Sequence, residues 1–73
     1  MRKVYISRGS RIETIDGFLE VDSYNGHIVS VTSNIIREDG TVKQVGERRL
    51  TLSEIANEMR EVDGKVRKVL WMD

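Results

Sequence analysis

The sequence predicts a small α+β domain: an antiparallel β-meander of four to five strands, one helix at about residues 52–62, and a final strand. Three observations carry this. Glycine-centred turn signals recur at Arg8-Gly9-Ser10, Asp16-Gly17, Tyr24-Asn25-Gly26 and Glu38-Asp39-Gly40, each glycine offering the positive φ that tight turns need. The runs between them are rich in β-branched residues. The stretch LTLSEIANEMREVDG alone holds the start, stripe and stop signals of a helix. A small SH3-like or OB-like barrel is the alternative arrangement of the same elements.

Taken in order, the strand candidates are KVYIS, RIETI, FLEV, HIVSVTSNIIR and TVKQVGERRL. Gly17 reads as a bulge within one longer strand. The hairpin around DSYNGHIVS poses a register problem. A two-residue Asn25-Gly26 turn would pair Tyr24 with His27 and split the apolar residues between faces. A three-residue loop with Gly26 left-handed pairs Ser23 with His27, Val21 with Val29 and Leu19 with Val31. It keeps Leu19, Val21, Val29, Val31 and Ile35 on one face. A one-residue slip sends every side chain to the other face, so the apolar pattern favours the second register. The glycine at 46 reads as another bulge, since Ile35, Ile36, Val42 and Val45 share no face in a simple register.

The helix begins at Thr51, whose side chain and Glu54 form a capping box, with Leu50 and Ile55 as a hydrophobic staple. Leu52, Ile55, Ala56, Met59 and Val62 follow helical spacing, Ile55 and Met59 are expected to meet the odd-numbered strand face, and Gly64 ends the helix. The final strand, residues 65 to 72, carries apolar residues on both parities. Val66, Leu70 and Met72 fall on one and Val69 and Trp71 on the other, so it should be covered on both sides and close the sheet.

With 73 residues the chain forms one domain spanning residues 1–73, which buries only about 60% of the surface of its unfolded form. A core of that size contributes roughly 3 to 5 kcal/mol, and with no cysteine neither a disulfide nor a thiolate zinc site can add to it. Oligomerisation or partner binding is the natural supplement. The lack of cysteine fits a reducing compartment, and the expected location is cytoplasmic. Met1-Arg2-Lys3 is followed by VYISRGSR, which has no apolar core of a signal peptide. No window approaches a membrane span.

Twelve basic residues balance twelve acidic ones, which excludes a polyanion binder acting through bulk charge alone. The charges are nevertheless segregated. Arg2, Lys3, Arg8 and Arg11 precede Glu13, Asp16, Glu20 and Asp22. Catalytic chemistry finds little support. His27, Asp22 and Ser23 have the residue types of a hydrolytic triad but sit at the mouth of a surface turn. One histidine with scattered carboxylates is below any metal-ligand spacing, and Gly9 lacks the pattern of a phosphate loop. No catalytic, cofactor or metal residue is expected, and the chain reads as no enzyme.

The expected function is a non-enzymatic protein-interaction module, a small adaptor, inhibitor or accessory protein that associates with itself or with a protein partner. Tyr24, Phe18 and Trp71 are its candidate contacts. The alternative is a nucleic-acid-binding domain. If the first and last strands lie together, Arg2, Lys3, Arg8, Arg11, Lys65, Arg67 and Lys68 would form one basic patch, with Tyr5 or Trp71 stacking on bases.

Overall fold

The computed structural model describes residues 2–59 and 66–73. In chain order the elements are strands β1 (Arg2–Ile6), β2 (Arg11–Glu13), β3 (Gly17–Tyr24), β4 (Val29–Ile36) and β5 (Val42–Leu50), helix α1 (Leu52–Glu58) and strand β6 (Val66–Trp71). β2 to β5 form a four-stranded antiparallel meander in sequence order. The α+β class, the meander, the helix and the final strand thus follow the expectation from sequence.

The final strand does not close that sheet. β6 pairs with β1, in parallel, in a separate two-stranded sheet. The reason lies in the turn after β1. Gly9 donates its N–H to the Val21 carbonyl and the Val21 N–H bonds back to Ser10, so two successive residues face one. Such a doubling bends the strand, and Gly9 with φ 88° allows it. The chain is turned out of the meander, and β1 is left to find its partner at the far end of the sequence.

Gly17 is no bulge inside a longer strand either. Thr14 donates its N–H to the Gly17 carbonyl and Ile36 donates to Asp16, so a tight turn separates β2 from β3. What glycine supplies there is room. A Cβ at residue 17 would lie 2.0 Å from the Asn34 carbonyl oxygen.

The β3–β4 register differs from the predicted one. Val21 stands opposite Val31, Leu19 opposite Ser33 and Tyr24 opposite Val29, so the expected pairs Ser23 with His27, Val21 with Val29 and Leu19 with Val31 are overturned. The loop runs over four residues, Asn25 to Ile28. Asn25 Oδ1 accepts the N–H groups of both His27 and Ile28 (2.9 and 2.7 Å), and the Asn25 N–H donates to the Ile28 carbonyl. An asparagine side chain that satisfies two turn amides stabilises a longer loop than either tight turn considered. From Gly17 to Val21 the register moves by two, which leaves the parity unchanged there. Leu19, Val21, Val29 and Val31 are therefore all buried together as expected, while Ile35, expected with them, is only half-buried. A bulge at Asp22, between Val21 and Ser23, then reverses the alternation and turns Tyr24 towards the core.

The core lies between the inner face of the meander, the β1–β6 pair and α1. Ile6, Ile12, Leu19, Val21, Val29, Val31, Leu50, Ile55 and Val69 make one buried cluster, with Met59 and Trp71 packed against it. The helix starts with the predicted capping box. Thr51 Oγ1 accepts the Glu54 N–H (3.1 Å) and Glu54 Oε1 accepts the Thr51 N–H (2.9 Å). Met59, expected within the helix, instead follows its last residue Glu58 and is extended, with ψ 137°. The remainder of the expected helical span, residues 60–62, and the stop at Gly64 lie outside the described residues.

Candidate functional site

The three aromatic residues expected to form a protein contact do not share a surface. Phe18 lies on the outer face of the meander at 6% exposure, because the Arg11 guanidinium covers it, with Cζ 3.7 Å from the ring centroid. Arg11 is held over the ring by its Nε bond to Glu13 Oε1 (2.9 Å). Tyr24 and Trp71 meet on the other side of the sheet, ring centroids 5.0 Å apart and tilted by 33°. Trp71 Nε1 donates to Asp73 (2.6 Å). Both are half-buried against the core, so the contact ties β6 to the end of β3.

The basic residues divide as well. β1 and β6 do lie side by side, and Lys3 stands directly opposite Lys68. Tyr5, opposite Leu70, is 55% exposed beside them. Arg2 is opposite Val66 at the start of the pair. Arg8, by contrast, lies in the turn beyond the other end of β1, and Arg11 is engaged with Glu13 and Phe18 on the meander. Arg67 belongs to β6, and Lys65 lies outside the described residues.

The triad types are no closer to a working geometry. Asp22 accepts the Thr32 hydroxyl (2.9 Å), Ser23 faces Ser30 across the ladder, and His27 is exposed in the turn. Among the described residues no group of three histidine, cysteine or carboxylate side chains could hold a metal ion, and no helix is long and apolar enough to cross a membrane.

The feature to which the sequence reading assigned no role is β5, expected only as the strand TVKQVGERRL. It is the last strand of the meander and the longest element at nine residues. Of those residues only Leu50 is buried. One of its edges bonds to β4, and the other pairs with no strand among the described residues, leaving a row of main-chain donors and acceptors. Val42 and Val45 are 53% and 58% exposed, and Ile36, opposite Val42, is 45% exposed. The register breaks between Gln44, opposite Asn34, and Gly46, opposite Ser33, so Val45 is an extra residue.

The charges on β5 are ordered by that register. Glu47 is opposite Thr32 and Arg49 opposite Ser30, which puts both on the outer face of the meander. Arg48, opposite Val31, is on the inner one. Arg48 binds Glu58 at the end of α1 through two parallel bonds of 2.6 and 2.7 Å. The Glu58 carboxylate holds the guanidinium protonated above its already high ordinary value. The signal for such an edge was present in TVKQVGERRL, where polar residues fall on both parities. A strand with no apolar face is one with no cover on either side.

Comparison with family models, with curated proteins and with solved structures finds no match to this chain.

Proposed function

We propose that the chain is a non-enzymatic protein-interaction module that binds through the open edge of β5. The observation behind this reading is a nine-residue strand, exposed on nearly all its side chains, with one edge unpaired among the described residues. Strand addition at such an edge draws its affinity from main-chain hydrogen bonds and its selectivity from alternate side chains. Exposed hydrophobic residues beside an open edge are what proteins ordinarily avoid, and Val42, Val45 and Ile36 are retained there.

Affinity capture tests the reading when the edge is altered and a distant face is not. Val42→Lys with Val45→Lys places lysines on the edge, a common natural block to strand pairing. Both positions are exposed, so the fold should be kept. Partners held by the wild type should be retained by an Arg8→Gln control, exposed in the turn after β1, and lost from the double variant. A partner set unchanged by the edge lysines would contradict it.

A second reading is favoured by the pairing of Lys3 with Lys68 beside the exposed Tyr5. Two cations and an aromatic ring are the elements of a single-strand nucleic-acid contact. Titration with DNA and RNA oligonucleotides at low and moderate salt discriminates. Binding that weakens steeply with salt and is lost in Lys3→Gln/Lys68→Gln supports it, and no binding at low salt removes it.

A further inference from the structure

We propose that β5 pairs antiparallel with β5 of a second copy of this chain, about a two-fold axis at Arg48. The inference rests on the reading of β5 as the interaction edge and names the partner it takes. The break in register at Val45 leaves Gly46 to Leu50 as the regular stretch next to the helix. Within it Glu47 and Arg49 flank Arg48 on one face. A two-fold axis at Arg48 sets Glu47 of each copy opposite Arg49 of the other. One alternation of charge thus supplies two opposite-charge cross-strand pairs, as a self-complementary interface requires. Both side chains are exposed, and neither has an ion-pair partner among the described residues.

Arg48 meets its own copy on the inner face. Its charge is already met by the two bonds to Glu58, so the apposition is of two neutralised pairs. Other registers lack this match. A two-fold at Val45 would set Lys43 against Glu47, yet Lys43 lies opposite Ile35 and Glu47 opposite Thr32, on different faces of the sheet. A two-fold at Glu47 or at Arg49 brings like charges together. The pairing in the favoured register joins two four-stranded sheets into one continuous sheet and gives a thin-cored domain the additional burial that small proteins obtain by association.

Sedimentation equilibrium over a dilution series reaching millimolar concentration tests this, with charge-reversed chains as probes. The wild type should dimerise. Glu47→Arg alone and Arg49→Glu alone, each folded by circular dichroism, should each weaken the dimer by about tenfold or more, since both cross-strand pairs become like-charged. Mixing the two single variants should restore a dimer, because each then offers the other its complement. The double variant Glu47→Arg/Arg49→Glu should also pair with itself. A wild type that stays monomeric, or single variants that dimerise as well as it does, overturns the proposal. If the chain is monomeric while the Val42→Lys/Val45→Lys variant loses captured partners, the edge binds another protein, and only the second copy is ruled out as its occupant.

Discussion

At the scale of single residues, the positions that decide the structure are those where one atom more or less changes a contact. Gly17→Ala would place its Cβ against a main-chain oxygen, and backbone yields less readily than a flexible side chain. The expected loss is about 3 kcal/mol, the upper part of the usual range for overpacking. That is comparable with the whole contribution of so small a core, and a urea titration followed by circular dichroism should find the variant largely unfolded without denaturant. A second prediction concerns acid. Glu54 is held below its ordinary value of 4.5, mainly by the Thr51 N–H bonded to its carboxylate. Asp39 is likewise lowered, first by the Thr41 hydroxyl and then by the Thr41 N–H. A carboxylate whose folded value is depressed contributes stability that is complete above its unfolded value and is lost as pH falls through the folded one. The melting temperature should therefore be flat near neutrality and fall below about pH 4.5. Glu54→Gln, which keeps an acceptor in the capping box, should make that fall shallower. Of these residues the capping pair was legible in the sequence because its spacing is its function. Asn25 was legible only as a turn residue. Which amides its side chain would satisfy depends on the loop length, and that loop moved the register by two.

At the scale of elements, the helix and β5 make opposite demands on the sequence. Seven helical residues are too few to be stable alone in water, so α1 depends on its cap and on Ile55, which is fully buried. Thr51→Ala should cost about 1 kcal/mol and Ile55→Ala about 2 to 5 kcal/mol, both read as shifts of the urea midpoint. If the cap variant cost as much as the core variant, the helix would be held by its terminus more than by packing. For β3 and β4 the apolar face was correct although the pairs were displaced, because hydrophobicity selects parity and is indifferent to a shift of two. The bulge at Asp22 restores nothing in the pattern of the sequence. It is what lets Tyr24 face the core and meet Trp71. Strand β5 was legible as a strand in TVKQVGERRL, but with polar residues on both parities its pattern names no buried face and so no neighbour.

At the scale of the whole molecule, the sequence announced every element and misassigned one partnership. Nothing in KVYIS or KVRKVLWM specifies that the two will lie parallel, since both would serve equally as outer strands of one sheet. The choice is made by Gly9 and Ser10 bonding jointly to Val21, a local bend with a global result. The candidate contacts fared likewise: Phe18, Tyr24 and Trp71 were identified as exceptional for size, but size alone does not say which side of a sheet a ring occupies. The same parallel pair carries a kinetic consequence. The meander can assemble from neighbours, whereas β1 must wait for β6, with five elements between them in the chain, before it has a strand to pair with. Loop closure over nearly the full chain slows such contacts. Stopped-flow refolding should show circular dichroism from the meander recovering before the fluorescence of Trp71, the single tryptophan, which reports the docking of β6. Coincident recovery would mean that the two ends are already joined in the transition state. During the interval the finished meander would present its inner face to the cell, and chaperone engagement of a nascent chain lacking β6 is the form that exposure would take.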